Sequence, residues 1–255
     1  MRALIDLNAD VGESFGAWTL GADEALLACV TSVNIACGFH AGDPSVIDRI
    51  VALAARAGLA IGAHPGHWDL RGFGRRAIAA PPDEVESDVL YQVGALAAFA
   101  RAHGTRLVHV KPHGALYNQA VGDEALARAI ARGVARAGGE LILVGLAGSK
   151  LMRDAALAQG LRFAAEAFAD RRYEADGTLQ SRRVPGSVIT DPEAAAAQAL
   201  RIVQTGTVVA ADGGEVPLCA DTLCLHGDNP AAVGNARAVR GALESAGVTL
   251  RPLAP

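Results

Sequence analysis

A closed or nearly closed α/β barrel of about seven parallel strands is the fold this sequence predicts. Three observations point to it. Short apolar runs alternate with amphipathic helical segments along the chain, the pattern of a parallel sheet with helices outside it. No linker or shift in composition divides the 255 residues, so one domain over 1–255 is the simplest organisation. The polar residues that need explaining gather at the C-terminal ends of the apolar runs, where βα loops build the active face of a parallel barrel. An open doubly wound sheet is the alternative. It lacks its dinucleotide fingerprint, because no G-x-G-x-x-G follows the first run.

The predicted strands are 3–7, 31–36, 59–64, 106–110, 140–145, 161–166 and 222–227. After the second, Asp43 is a good N-cap and Pro44 suits the first helical position, where its missing N–H costs nothing. Val46, Ile47, Ile50, Val51 and Ala54 then form one apolar face, and Gly58 supplies the stop. Pro81-Pro82-Asp83 opens a second helix over 83–103, striped by Val85, Val89, Val93 and Leu96 and ended by Gly104. Further helices are predicted from Asp123 to Gly138, from Asp191 to Gln204, and from near Pro230 to before Gly247. Asp212-Gly213-Gly214 between two short apolar runs predicts a β-hairpin inserted near 207–221.

With 51% hydrophobic and 20% charged residues, the chain reads as globular rather than disordered. The net charge is −4 and the basic residues are scattered in pairs, which argues against nucleic acid as a partner. The opening MRALIDLNAD lacks the apolar core of a secretory signal, and no run approaches the roughly 20 apolar residues that span a bilayer. A cytoplasmic protein with no membrane contact is expected. Cys29, Cys37, Cys219 and Cys224 form no C-x-x-C pair, so they are expected to be reduced and packed near the core.

The strand-end residues carry the chemistry. They are Asn8, Asp10 and Glu13 after the first strand, His40 and Asp43 after the second, His64 after the third, and Lys111 and His113 after the fourth. Asp170, Arg171 and Arg172 follow the sixth, and His226 and Asp228 the last. A lone strand-end histidine is often structural, but His40, His64, His113 and His226 come from different strands, with His67 one loop away. In NIACGFHAGDP, Gly38 and Gly42 allow a tight strand-to-helix loop that presents His40 beside a helix N-terminus. In VKPHGALYN, Lys111 leaves an apolar strand directly into the same face, suited to a phosphate or a developing oxyanion. His109 lies inside that strand, on the opposite side from Val108 and Val110. The arginines of FADRRYEADGTLQSRR and, more weakly, RGFGRR suit carboxylate or phosphate. The sequence has no G-x-x-x-x-G-K-[ST] run, and GLAGSK (145–150) has the wrong spacing.

Six motifs in order, DLNADVGESFG (6–16), NIACGFHAGDP (34–44), GAHPG (62–66) with DLRGFGRR (69–76), VKPHGALYN (110–118), FADRRYEADGTL (168–179) and LHGDNP (225–230), resemble the LamB/YcsF family. The resemblance implies a seven-stranded TIM-like barrel related to glycoside hydrolases and carbohydrate deacetylases. It also implies one component of an ATP-dependent 5-oxoprolinase, working with two partner subunits to open 5-oxo-L-proline to L-glutamate. On that basis Asp10, Glu13, His40, His64, Lys111 and His113 are the expected catalytic set. Asn8, Arg171, His226 and Asp228 are expected to hold substrate or phosphoryl oxygens. ATP, with or without a divalent metal, is the implied cofactor, at a site the sequence does not locate. Two other readings stand beside this one: a stand-alone metal-dependent deacetylase with Asp10, His40 and His64 as ligands, and a non-catalytic subunit that delivers substrate.

Overall fold

A computed structural model describes residues 4–227 and 231–254. The elements run β1 (Leu4–Val11), α1 (Asp23–Leu27), β2 (Ser32–Ala36), α2 (Pro44–Arg56), β3 (Ala60–His64), α3 (Pro82–Ala102) and β4 (Leu107–Val110). Then come α4 (Gly114–Gln119), α5 (Glu124–Ala137), β5 (Ile142–Leu146), α6 (Lys150–Ala158), β6 (Arg162–Phe168) and α7 (Pro192–Thr205). The chain ends with β7 (Thr207–Val209), β8 (Glu215–Pro217), β9 (Thr222–His226), α8 (Ala232–Ser245) and β10 (Thr249–Leu250).

The strands β1 to β6 and β9 pair in parallel in that order, and β1 closes the ring on β9 from Asp6↔Thr222 to Asp10↔His226. The result is the seven-stranded barrel the sequence predicts. Below that seam β10 pairs with Leu4 and Ile5. β7 and β8 form a separate antiparallel hairpin. No helix among the described residues is long and apolar enough to cross a membrane.

Local chemistry explains the helices. The Asp43 carboxylate accepts from Ser45 N and Val46 N at the start of α2, and also from Gly16 N in the β1 loop. Asp123 caps α5 through Leu126 N. Gly42 sits at φ +81°, and a Cβ there would come within 2.9 Å of Ala36 O and 3.0 Å of Gly12 O, so only glycine fits this turn.

Three differences from the sequence reading have physical causes. β1 runs to Val11, so Asn8 and Asp10 lie inside the strand rather than after it. Their polarity looked like a strand end because the barrel lumen on this side is itself polar. The helix α6 follows GLAGSK: the Ser149 hydroxyl accepts from Met152 N as an N-cap, and Met152, Ala155 and Ala156 face the core. The short helix α4 follows Pro112, which ends the strand before His113.

Strand alternation divides the barrel in two. Leu7, Ala9, Val11, Val33, Ile35, Ile61, Ala63 and Val110 are fully buried in the apolar layer shared with the helices. Asp6, Asn8, Asp10, Ser32, Asn34, His109, Lys111, Glu166 and Thr222 fill the lumen, all buried and polar. The side of the lumen under β5 and β6 is apolar, with Ile142, Val144 and Ala164 packed against Val108 and Leu253.

Candidate active site

The lumen's polar column rises layer by layer to the C-terminal mouth. At its base, Asp6 accepts from the hydroxyls of Thr31, Ser32 and Thr222. Above it, Asn8 Nδ2 donates to Thr222 Oγ1 at 2.6 Å and Glu166 Oε1 at 3.2 Å. Asn34 Nδ2 donates to Asn8 Oδ1 and Asp10 Oδ1, and His109 Nε2 donates to Asn34 Oδ1 at 2.7 Å. A Cβ on Gly62 would collide with the His109 ring, so this glycine is the space that lets His109 lie across the lumen.

Lys111 crowns the column. Its Nζ donates to Asp10 Oδ1 at 2.8 Å and Cys224 Sγ at 2.9 Å, and it forms an ion pair with Glu166 Oε1 at 2.9 Å. Burial opposes its charge, but the Asp10 carboxylate and its neighbours overcome this and hold the lysine well above its ordinary range. Burial likewise opposes the charge on Asp10, yet His64 and Lys111 keep its carboxyl well below the usual carboxylate range. Burial pushes the Cys224 thiol well up, so it stays protonated and is no thiolate nucleophile. Lys111 therefore fixes two carboxylates in place.

Three histidines and Glu13 sit beside this crown. His64 Nε2 is 3.4 Å from Asp10 Oδ2, and His113 Nδ1 is 3.0 Å from His64 Nε2. Glu13 Oε1 lies 3.5 Å from His40 Nε2 and 3.6 Å from His113 Nδ1. His40 and His113 stack in parallel with centroids 3.7 Å apart, and His64 meets both edge-on. Burial drives both His40 and His113 well below the ordinary imidazole range, which keeps them neutral.

The backbone fixes two of these rings. His64 Nδ1 faces Lys111 O at 2.7 Å and His113 Nε2 faces Phe73 O at 2.8 Å. A carbonyl only accepts, so both nitrogens carry hydrogen. The 3.0 Å contact between His64 Nε2 and His113 Nδ1 then sets two lone pairs against each other. It is stable only around a shared cation, either an added proton or a metal ion. Phe73 aims its carbonyl from the left-handed region at φ 54°, a strained conformation for a bulky residue.

Above the cluster opens a cavity of about 800 Å3. Asp10, His64, Lys111, His113 and His226 line its floor, and Arg75, Arg76, Arg171, Arg182 and Arg183 line its walls. Arg171 is buried and donates through Nη2 to Gln180 O, while its Nε has no hydrogen-bond partner. Burial and the neighbouring Arg182 bring Arg171 down to about 10. Arg172, its neighbour in sequence, points away and donates to Gly186 O. At the floor, His226 Nδ1 lies 2.9 Å from Asp170 Oδ1, and the ring stacks on Phe168. Although burial opposes the charge on Asp170, His226 holds its carboxyl below the usual range. An ionised Asp170 accepts the Nδ1 proton and leaves the lone pair on His226 Nε2.

The predicted residues Asp10, Glu13, His40, His64, Lys111 and His113 thus meet in one cluster, and Arg171 and His226 line the cavity above it. Asn8 lies one layer lower, in the column rather than in the cavity. Asp228 falls outside the described residues. Glu166, which completes the lysine crown, is absent from the predicted residues, and Asp170, which completes the histidine pair, is singled out there only as a strand-end residue without a role. Each sits within two residues of the end of β6, where a charged side chain reads equally well as a solvated strand end.

The LamB/YcsF family matches residues 5–255. The chain belongs to the LamB/YcsF family. The 5-oxoprolinase A subunit of Methylococcus capsulatus is 57% identical over 253 residues, covering 99% of this chain and 97% of that protein. The one from Symbiobacterium thermophilum is 56% identical over 246 residues, covering 96% of this chain and 94% of that protein. Among solved structures, a lactam utilization protein of Thermus thermophilus superposes with a TM-score of 0.92 at 53% identity, covering 99% of this chain and all of that one. The catalytic domain of a peptidoglycan N-acetylglucosamine deacetylase from Eubacterium rectale shares the fold, with a TM-score of 0.53 at 12% identity over 99% of this LamB/YcsF chain and 89% of that chain.

Proposed function

We propose that this chain is the lactam-hydrolysing subunit of an ATP-dependent 5-oxoprolinase. The near full-length kinship to proteins named as the A subunit of 5-oxoprolinase supports the reaction. The observation that carries the site is the Asp170–His226 pair, set at the floor of a cavity walled by arginines. A five-membered lactam is a stable amide, so ring opening gains from coupling to ATP and from a site that stabilises anions.

The residues divide the work. Arg171, with Arg75 and Arg182 on the same wall, holds the substrate carboxylate and phosphoryl oxygens; the unpartnered Arg171 Nε fits an anion of that kind. His226 Nε2 takes a proton from the attacking water as its oxygen bonds to the lactam carbon. The resulting imidazolium, stabilised by Asp170, returns the proton to the ring nitrogen as the C–N bond breaks. Asp10, kept ionised by Lys111 and Asn34, orients the water from the other side of the floor. The sum is one water added across one amide bond, giving a carboxylate and an amine.

ATP binds on two partner subunits or at the interface with them, consistent with the lack of a phosphate-loop motif in this sequence. Reconstitution tests the whole reading. This chain alone releases no glutamate from 5-oxoproline, and the complex with both partners and ATP does. Full turnover by the partners without this chain would refute it.

A further inference from the structure

We propose that Glu13, His40, His64 and His113 form a binding site for one divalent transition-metal ion of the Zn2+ class. One donor atom from each lies within 4.8 Å of the others, and all four residues are buried. Within the cluster the separations are 3.0 Å for His64–His113, 3.5 Å for Glu13–His40 and 3.6 Å for Glu13–His113. Tetrahedral coordination with bonds of about 2.0–2.2 Å places donors about 3.3 Å apart. Those three of the six donor pairs already have about that spacing, the rest lie within 4.8 Å, and three imidazoles with one carboxylate suit a borderline ion.

The rings are also prepared for it. Metal-bound histidines donate their second N–H to a backbone carbonyl or carboxylate, which fixes the tautomer. His64 does this to Lys111 O, and His113 does it to Phe73 O. Each leaves a lone pair facing the cluster centre, and those lone pairs oppose each other at 3.0 Å unless a cation lies between them. His40 is fully buried, and neither of its ring nitrogens makes a hydrogen bond. Coordination by both His40 and His113 asks their stacked rings to splay, a rotation that no hydrogen bond of His40 opposes.

The surroundings hold the shape. A Cβ on Gly66 would come within 2.8 Å of His40 Nδ1. At Gly74 it would come within 2.7 Å of His113 Cδ2 and 2.8 Å of His40 Cβ. Two glycines therefore make room for the rings to approach each other. A neighbouring set, Asp10 with Cys224 and His226, has similar spacing. It is less suited, because Asp10 and Cys224 already receive the Lys111 ammonium.

The test is a Co2+ titration of the full chain, followed by visible d–d absorption and by metal analysis after desalting. One Co2+ per chain is expected, with the intense bands of a four-coordinate site, displaced by one equivalent of Zn2+. His113→Gln and Glu13→Gln should each weaken binding at least about tenfold, while His67→Ala, whose ring pairs with Gln119 instead, should not. Circular dichroism confirms that each variant is folded. A wild-type chain that takes up no Co2+, or a titration unchanged in both ligand variants, overturns the proposal. The wild-type result alone is decisive if a variant fails to fold. Neither readout uses 5-oxoproline turnover, so this site and the proposed activity stand or fall separately.

Discussion

The two faces of one sheet solve burial in opposite ways. Outside the strands, Leu7, Val33, Ile35, Ile61 and Val110 meet the helices in an apolar layer, where stability comes from area removed from water. Inside, Asp6, Asn8, Asn34, His109 and Lys111 are as deeply buried but are held by directional contacts. The outer layer tolerates a change of shape because no single contact is essential. The lumen does not, because each removed partner strands a buried donor, acceptor or charge.

Four experiments sharpen that contrast. The largest effect falls on chemistry: His226→Ala should lower glutamate release by the reconstituted complex about 10²- to 10⁴-fold with little change in the urea midpoint. Asp170→Asn should follow in the same direction. A comparable loss of folding stability would return the pair to a structural role.

Next comes Lys111→Met, which leaves Asp10 and Glu166 buried together without their counter-ion. The expected cost is about 3–5 kcal/mol of unfolding free energy, read by urea denaturation. A variant as stable as wild type would show that the lumen behaves like the outer wall.

The third concerns pH. Burial, aided by the charges of Lys111 and His64, pushes His109 down to about 3. An unfolded histidine titrates near about 6.5, so between those values the unfolded chain binds the extra proton and stability falls as pH drops. Burial shifts His40 and His113 in the same direction. His109→Asn should make the slope of stability against pH shallower by about 1.4 kcal/mol per pH unit between roughly pH 5 and 4. Parallel urea-midpoint curves for the variant and wild type would contradict this.

The smallest effect belongs to the outer face. Ile35→Val removes one buried methylene and should cost about 0.5–1.5 kcal/mol, with turnover unchanged. A turnover loss there would couple the two faces in a way their packing does not suggest.

Much of this was legible in the residues. Asp43-Pro44 and Asp191-Pro192 announce helix starts through capping chemistry, and both helices begin there. Strand-end histidines from separate runs do converge, because parallel strands place their C-terminal ends on one face. The lumen was harder to read. Asn8 and Asp10 look like loop residues in sequence, since polarity inside a strand makes sense only once the opposing Asn34, Lys111 and Thr222 are in place. Arg171 and Arg172 are indistinguishable as neighbours, and only the turn that buries Tyr173 decides which one faces the cavity. The short helix after β4 and the helix after Ser149 carry stripes too brief for a periodicity search to hold.

Thr222 accepts from Asn8 and donates to Asp6, so the floor of the barrel and its mouth belong to one unbroken chain of bonds through Asn34 to Asp10. A protein wired in this way cannot drift one rung at a time. Replacement of any rung calls for a compensating neighbour, so a laboratory library aimed at new substrates will find its viable members in the arginine walls, with the column inherited whole.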